Sequence, residues 1–389
     1  MKYNTKIGEF CATHENWQEL LQEKPYCLKI KFTNTYVIFN YNQIESDFYN
    51  PIVQEARGII FDLADWTKPV CHAFNKFGNY GEGYVPEIDW STATVSQKID
   101  GSIMKVWWDF GCWHVSTNAN IYAKEAEIGD ARVNNFQEVF DMALTAELAK
   151  INMREDHFWE SLNTSFTYIF ELVSPYTRVV IPYDEPKLYF LGARHNSTGI
   201  EFGCKEEIAK RLRLDFFDRP KLYPITSLDE CISAAKELDW DEEGYVVFDS
   251  NMNRCKIKSP AYVIAHHCRT KRELTKKNLI DIIIKAETDE FLIYADDYKE
   301  QIQFLQQRIH EFRVIVALMA ANGAVYRKRL TKKETAERIK NEPKMLQAII
   351  FDAYNRDFTA EEYTANWNAN KWEKVLEEYE KIRMNRSTL

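Results

Sequence analysis

Glycine and proline are distributed very unevenly along this chain of 389 residues. Twelve of the thirteen glycines and ten of the eleven prolines precede residue 270, and only Gly323 and Pro343 follow it. Because these two residue types mark turns, the first part should be rich in turns and strands, and the second mostly helical. The sequence therefore predicts two domains, residues 1–268 and 269–389, each long enough to bury its own core.

The charged residues that give the net charge of −9 are also distributed unevenly about residue 270. Residues 270–389 carry 22 Lys and Arg against 20 Asp and Glu, whereas the preceding residues carry 28 against 39. No apolar run approaches the roughly 20 residues of a membrane span, and the first thirty residues have no signal-peptide pattern. The eight cysteines include no C-x-x-C pair, which excludes a zinc ribbon. We therefore expect an intracellular, cytoplasmic protein.

Local patterns support an α+β fold with antiparallel sheets, followed by an all-α domain. Residues 28–40 predict two strands around a turn, and residues 121–162 predict helix. In the second part, apolar residues from Ile302 to Met319 recur every three or four positions, which is typical of one face of a long helix. Residues 371–383 predict an exposed-looking amphipathic helix, and its apolar side, like the other apolar stripes of this part, is expected to form the core of a helical bundle.

The sharpest local motif is KIDGS, which begins at Lys98 and ends a predicted strand. A lysine that acts as a nucleophile must lose its proton, and this requires burial or nearby positive charge. Asp-Gly is also common in simple turns at strand ends. The motif by itself leaves both interpretations open.

Two lysines and a glutamate follow in a predicted hairpin. Lys256 and Lys258 are two residues apart on a strand, so they share a face while Ile257 has the other. Such a pair suits anion binding and would lower the pKa of a third lysine nearby, although solvated edge strands also carry lysines. Glu243 precedes the partner strand, where it could form an ion pair or anchor a divalent metal.

Earlier segments contain further candidates. Glu171 lies inside an apolar strand, where a carboxylate needs a partner. Arg57 directly precedes another strand and could bind a phosphate or carboxylate bidentately. Lys76 and Phe77 follow in an extended segment, and Phe77 could stack on a base or belong to the core.

These motifs occur in one fixed order: Lys-x-Asp-Gly, an acid in a strand, Glu-Gly before a strand, and Lys-x-Lys. In this the chain resembles the covalent nucleotidyltransferases, which include ATP-dependent DNA and RNA ligases and mRNA capping enzymes. The flanking segments EARGIIF, FELVSPYTRVVI, EGYVVF and KIKSPAY are similar to the RNA ligase family of phage T4 RNA ligase 1. This similarity covers most of the chain.

The resemblance implies an activity. An enzyme of this family uses ATP and Mg²⁺ or Mn²⁺ to form a lysyl–AMP intermediate, passes AMP to an RNA 5′-phosphate and joins that end to a 3′-OH. It implies a role in RNA repair, with tRNA as one candidate substrate. It is compatible with a monomeric protein, encoded by a phage or acting in bacterial cytosol.

The resemblance also implies residue roles. Lys98 would be the nucleophile, Lys256 and Lys258 would bind the α-phosphate, and Glu171 would accept a hydrogen bond from the ribose. Metal contacts fall to Glu243 and, through a loose alignment, to Asp289. The residues assigned to nucleotide binding are Tyr41, Arg57, Lys76, Phe77, Glu171, Glu243, Lys256, Lys258 and Tyr262.

One segment departs from the family pattern. Relatives carry a basic, glycine-containing segment about twenty residues after the nucleophile, whereas residues 116–120 of this chain read STNAN. Asn118 cannot supply the charge of a lysine. Lys124 is the candidate replacement along the sequence.

Other readings remain open. A DNA ligase or a capping guanylyltransferase would share the lysine motif, but about 120 glycine-poor residues leave little sequence for the β-barrel domain that follows in those enzymes. A non-catalytic RNA-binding protein is the alternative from another class. Basic clusters at 269–272, 276–277, 327–329 and 332–333 suggest that the helical domain helps to select the RNA.

Overall fold

The computed structural model describes residues 5–267 and 274–387, and the chain divides into two compact units, Met1–His266 and His267–Leu389. The first unit mixes strands and helices, and the second is built from helices in its described part. The expected α+β class is confirmed. The basic cluster at 269–272 lies outside the described residues.

The strands of the first unit are short, and most occur in hairpins. They are β1 (Lys29–Phe32), β2 (Tyr36–Asn40), β3 (Arg57–Asp62), β4 (Thr94–Gln97), β5 (Ser102–Asp109), β6 (Cys112–Thr117), β7 (Glu127–Asp130), β8 (Val133–Asn135), β9 (Phe166–Val173), β10 (Lys187–His195), β11 (Glu201–Phe202), β12 (Leu222–Tyr223), β13 (Gly244–Phe248) and β14 (Arg254–Lys258).

The helices of the first unit are α1 (Lys6–Thr13), α2 (Trp17–Gln22), α3 (Pro51–Glu55), α4 (Phe136–Lys150), α5 (Glu155–Ser161), α6 (Glu206–Arg211), α7 (Leu228–Lys236) and α8 (Pro260–His267). Those of the second unit are α9 (Lys276–Ile284), α10 (Thr288–Tyr294), α11 (Lys299–Arg329), α12 (Lys332–Ile339), α13 (Lys344–Asn355), α14 (Ala360–Thr364) and α15 (Ala369–Ser387).

Three main sheets organise the first unit. Their strand orders are β1-β2-β3, β11-β10-β9-β5-β6 and β12-β4-β13-β14, and β7 pairs with β8. Neighbouring strands in these sheets run antiparallel, as the sequence predicts. No helix in the described ranges is both long and apolar enough to cross a membrane.

The five-stranded sheet has one face in the core and one face toward the candidate site. Side chains alternate along a strand, so Phe170 and Leu172 of β9 pack in one cluster with Phe140 and Leu144 of α4. Glu171 therefore lies on the opposite face. This alternation explains how a carboxylate can occupy an otherwise apolar strand.

Residues 121–162 are not one helical region, and that prediction was wrong at its start. The first long helix there begins at Phe136, after the β7–β8 hairpin. The Asn135 side chain accepts a hydrogen bond from the Glu138 N–H at 3.1 Å, which caps the helix at this point. The apolar spacing used for the prediction belongs to α4 alone.

In the second unit, the long helix α11 confirms the predicted apolar face. Its Phe312 ring lies 5.9 Å from the ring of Trp372 in α15. Trp372 and Leu376 are 1% and 0% exposed. Residues 371–383 thus form part of a helix whose apolar side is buried, as the bundle-core interpretation predicts.

Candidate active site

A cavity of about 740 Å³ is lined by residues of the five-stranded and four-stranded sheets and of β3. Its volume suits a nucleotide-sized ligand. The predicted site residues that line it are Arg57, Phe77, Lys98, Glu171, Glu243, Lys256 and Lys258. The fold therefore brings together residues that are far apart in sequence.

Lys98 lies on the loop that joins β4 of one sheet to β5 of another. Its N–H donates to the Gly244 carbonyl at 2.8 Å, and its Nζ donates to Glu243 Oε2 at 2.7 Å. Gly244 has φ +129°, and a Cβ there would collide with the Ile257 carbonyl. Glycine thus allows β13 to approach β14 closely beside the Lys98–Glu243 pair.

The charge of Lys98 depends on the carboxylates around it. Burial lowers the pKa of Lys98, but Glu243, Glu171 and Asp100 raise it, and the net direction is upward. The three carboxylates therefore favour the protonated amine. The expectation that Lys256 and Lys258 hold this amine neutral stays a prediction.

Asp100, the aspartate of the KIDGS motif, anchors the loop that carries Lys98. Asp100 Oδ2 accepts the N–H groups of Val180 and Ile181 at 2.9 and 2.7 Å, and Oδ1 accepts the Tyr262 hydroxyl at 2.8 Å. Tyr262 is 2% exposed and does not line the cavity. The geometry therefore makes Tyr262 a support for Asp100, and a direct nucleotide contact of Tyr262 stays a prediction.

The basic face of β14 is arranged as its sequence predicts. Lys256 and Lys258 line the cavity, whereas Ile257 packs in a core cluster on the other face. Lys256 Nζ lies 5.8 Å from the centroid of the Phe77 ring, and Arg57 Cζ lies 5.0 Å from it. Phe77 thus contacts two cations and leaves part of its ring at the cavity wall.

Glu171 is the second carboxylate of the cavity. Burial raises its pKa to about 7, with Lys98 and Arg57 opposing that shift and Glu243 adding to it. Near neutral pH this group can therefore either accept or donate a hydrogen bond. Such a group suits contact with a hydroxyl.

Arg57 carries an unused donor. Burial lowers the pKa of Arg57, and its Nη1 atom is buried without a hydrogen-bond partner among the described residues. The Oδ1 atom of Asn118, which also lines the cavity, is in the same condition. Buried polar atoms are normally paired, so these two atoms point to a ligand.

Two predicted residues lie beside the cavity rather than in it. Lys76 Nζ sits 5.1 Å from the centroid of the Tyr41 ring and 5.0 Å from that of Phe48. Neither Lys76 nor Tyr41 lines the cavity. In this structure Lys76 and Tyr41 are not placed for the direct nucleotide contacts expected of them, because the Lys76 ammonium group lies against the rings of Tyr41 and Phe48.

Of the two residues expected to bind a metal ion, one lines the cavity and the other does not. Glu243 is buried and lines the cavity, whereas Asp289 is an exposed residue of α10 in the second unit. Within residues 5–267 and 274–387, no group of three or more His, Cys, Asp or Glu residues could hold a metal ion. Protein side chains alone therefore do not form a metal cage here.

The segment that departs from the family pattern forms a neutral wall of the cavity through residues 117–120. Lys124, the replacement expected from the sequence, does not line the cavity, and its Nζ lies 5.3 Å from the Tyr122 ring centroid. A cation reaches this wall from β1 instead, because Lys31 Nζ donates to Asn120 Oδ1 at 2.5 Å.

The sequence patterns did not lead us to predict Arg254 as a residue of the site. This residue is 7% exposed, lines the cavity and donates to Glu201 Oε2 at 2.5 Å. Glu201 also binds Arg194, which contacts the buried His72. The spacing of Arg254 could have identified it, because it shares one face of the strand with Lys256 and Lys258. No local motif identifies Lys31.

Comparison with known proteins agrees with the geometry. The RNA ligase family model of the T4 RNA ligase 1 type matches residues 55–262. A putative bifunctional polynucleotide kinase/RNA ligase of Autographa californica nuclear polyhedrosis virus is 33% identical over 279 residues, 69% of this chain. The match spans only 38% of that viral protein.

An RNA ligase of Rhodothermus phage RM378 is 24% identical over 311 residues, which cover 66% of this chain and 69% of the phage protein. Among solved structures, an archaeal ATP-dependent RNA ligase aligns with a TM-score of 0.46 at 12% identity, over 74% of this chain and 73% of that one. The family model alone spans more than half of the sequence. The chain therefore belongs to the RNA ligase family of the T4 RNA ligase 1 type.

Proposed function

We propose that this protein is an ATP-dependent RNA ligase that joins a 5′-phosphate end to a 3′-OH end. The observation that carries the proposal is the position of Lys98, whose amine faces a nucleotide-sized cavity shared with Arg57, Lys256 and Lys258. A lysine nucleophile among fixed cations is what transfer of a nucleotidyl group requires. The family membership of the chain supports RNA as the substrate class.

In the first step the neutral Nζ of Lys98 attacks the α-phosphorus of ATP. An N–P bond forms, the bond from that phosphorus to the bridging oxygen breaks, and pyrophosphate leaves. Lys256 and Lys258 would stabilise the charge on the phosphate oxygens, since fixed cations act where charge develops. The amine must lose its proton first, because its pKa in the protein alone is raised.

In the second step an oxygen of the RNA 5′-phosphate attacks the phosphorus of lysyl–AMP. The N–P bond breaks, the amine regains a proton, and a 5′–5′ pyrophosphate link forms. In the third step the 3′-OH of another end attacks the RNA phosphate, and AMP leaves. The product is a 3′–5′ phosphodiester.

The cavity fits a divalent ion that is bound largely by the substrate. Mg²⁺ is commonly held by one or two carboxylates together with substrate phosphates and water, and Glu243 is the carboxylate in place. Such an ion would neutralise phosphate charge and offset the effect of Glu243 on the Lys98 pKa. We keep Mg²⁺ or Mn²⁺ as the proposed ion and assign no role to Asp289.

Labelled nucleotide tests the first step directly. The protein is incubated with Mg²⁺ and either α-³²P-ATP or α-³²P-GTP and then separated by denaturing electrophoresis. We expect a labelled protein band in the wild type and in Lys124→Ala, and none in Lys98→Ala. A wild-type protein that takes label only from GTP would identify a capping enzyme, and one that takes no label would be an RNA-binding protein without ligase activity.

The physiological substrate needs a second assay. We propose a role in RNA repair, and ligation of nicked tRNA compared with linear single strands tests whether tRNA is preferred. Joining of DNA ends at an equal rate would favour a DNA ligase. A monomeric state and a cytoplasmic location stay predictions.

A further inference from the structure

We propose that Lys31 contacts a phosphate group of the substrate at the 117–120 wall of the Lys98 cavity. This inference rests on the proposed function and adds a residue to it. The ligand chemistry is a phosphate, and it has two candidate sources: the triphosphate of ATP or the 5′-phosphate of an RNA end.

The first step of the argument is where β1 places Lys31. In the β1–β2 pairing, Lys31 lies opposite Ile38 and Lys29 lies opposite Asn40. Directly opposite residues share a sheet face, so all four point the same way. The Asn40 side chain donates to the Asn118 carbonyl at 2.6 Å, which fixes this face against the cavity wall.

The second step is the charge of that wall. Thr117, Asn118, Ala119 and Asn120 carry no charge, and the nearby lining residues Glu125 and Glu127 are exposed acids. An anion beside this wall would be repelled unless a cation balanced those acids. Lys31 brings positive charge to the wall through its contact with Asn120.

The third step is the hydrogen-bonding capacity left for a ligand. An ammonium group has three N–H donors, and the contact with Asn120 Oδ1 uses one. Lys31 is also exposed, so a ligand can reach it without unpacking the core. Its amine is therefore able to bind Asn120 and a phosphate together.

A fourth observation independently indicates an anion. Arg57 lines the same cavity, and its Nη1 atom is buried without a hydrogen-bond partner among the described residues. Gly58, the next residue, has φ +73°, and a Cβ there would come within 2.6 Å of the Asn118 carbonyl oxygen. The backbone of β3 is thus held close to the wall, and its arginine has a donor to spare.

Four single variants test the proposal. Lys31→Gln keeps a donor for Asn120 but loses the charge, and Lys31→Arg keeps the charge. Asn120→Ala removes the internal partner and leaves Lys31 in place. Lys29→Gln is the matched control, because it removes a lysine from the same strand and face that does not line the cavity.

The readout is equilibrium binding to the full-length protein. One arm measures Kd for ATP, and the other measures Kd for a short single-stranded RNA with a 5′-phosphate against the same RNA with a 5′-hydroxyl. We expect Lys31→Gln to raise Kd about 10- to 100-fold in one arm, as loss of a charged hydrogen bond does. Lys31→Arg and Lys29→Gln should keep most of the wild-type affinity.

The two arms identify the source of the phosphate. A loss confined to ATP assigns Lys31 to the triphosphate. A loss confined to the 5′-phosphorylated RNA assigns it to the RNA end, and the log–log salt dependence of that binding should then fall by about 0.7. Asn120→Ala should weaken that binding less than Lys31→Gln does, because Lys31 keeps its charge.

Two results would overturn the inference. One is an unchanged Kd for Lys31→Gln in both arms. The other is an equal loss in Asn120→Ala and Lys31→Gln, which would mean that Lys31 only fastens the wall. Because binding needs no catalysis, a wild-type protein that forms no lysyl–AMP would refute the proposed function and still leave Lys31 tested.

Discussion

The proton on Lys98 is the first obstacle to the proposed reaction. Its amine donates to Glu243 at 2.7 Å, and carboxylates raise its pKa even though burial opposes them. A group with a raised pKa stays charged to a higher pH than an ordinary lysine, and a charged amine is not a nucleophile. The protein alone therefore holds its nucleophile in an inactive form until substrate changes the local charge.

This state predicts a shift in the reactivity of Lys98 with pH. In Glu243→Gln the main carboxylate partner loses its charge, so the apparent pKa of Lys98 should fall. The measurement is the rate at which an amine-selective reagent modifies Lys98, followed by mass spectrometry across pH. Glu242→Gln, which alters a neighbour that does not line the cavity, serves as the control. An unchanged or higher pKa in Glu243→Gln would contradict this account.

A buried charge network near the cavity gives a second prediction. Glu201 lies between the guanidinium groups of Arg194 and Arg254, and both arginines are almost fully buried. Glu201→Gln would leave these cations without their carboxylate and should destabilise the first unit by about 3–5 kcal/mol.

Denaturant unfolding measures the effect of Glu201→Gln. The control is Glu206→Gln, because Glu206 pairs with Lys210 on an exposed helix face and should change stability little. Equal stability of the Glu201 variant and the wild type would mean that the two arginines are solvated in solution.

At the scale of elements, strand alternation positions most of the site. The pattern Arg254-x-Lys256-x-Lys258 places three cations on one face of β14, while Cys255 and Ile257 enter the core behind it. The spacing was sufficient to predict that face. It could not predict the charge state of Lys98, since the pKa depends on carboxylates from β9 and from the residue before β13.

Elements that depend on distant contacts were less predictable. Tyr262 belongs to a motif that resembles nucleotide-binding segments, yet its hydroxyl binds Asp100 and its ring is buried. Lys31 lies on a strand without any local motif, and its contact with Asn120 joins residues 89 positions apart. Neither outcome has a signal in local spacing, because each depends on contact between segments far apart in the sequence.

The helix α15 predicts a local stability effect in the second unit. Trp372 is 1% exposed and packs against Phe312 and Trp367. Trp372→Ala should lower the stability of this unit by about 3–5 kcal/mol, because a large buried ring is lost. Unfolding followed by circular dichroism measures the change, and Lys371→Ala in the same helix is the control. We expect labelling of Lys98 by ATP to persist in both variants.

At the scale of the whole molecule, glycine and proline usage predicted where one compact unit ends. The structure divides between His266 and His267, close to the expected boundary at residue 268. Strand hairpins need the backbone freedom of glycine and the stops that proline provides, whereas both residue types destabilise the interior of a helix. The roles of the two units are a separate question, which needs a functional test.

Removal of residues 270–389 provides that test. All predicted site residues that line the cavity precede this segment, so the shortened protein should still form lysyl–AMP from ATP. RNA joining should weaken, because the basic clusters at 276–277, 327–329 and 332–333 are lost. Rates of the two reactions, measured side by side, separate these effects. Equal joining of every RNA by the shortened and full-length proteins would refute a role of this unit in RNA selection.

The loop that carries Lys98 has a mechanical consequence. It connects a strand of the four-stranded sheet directly to a strand of the five-stranded sheet, and Asp100 anchors its far end. A nucleotide bonded to Lys98 would therefore be attached at the seam between the sheets, in reach of side chains from both. If the cleft widened, the bonded phosphate would stay beside the cations of β14, because the Lys98 N–H is bonded to the Gly244 carbonyl of the same sheet, whereas Glu171 on the five-stranded sheet would move away. The distance between the sheets would then control how exposed the intermediate is to water.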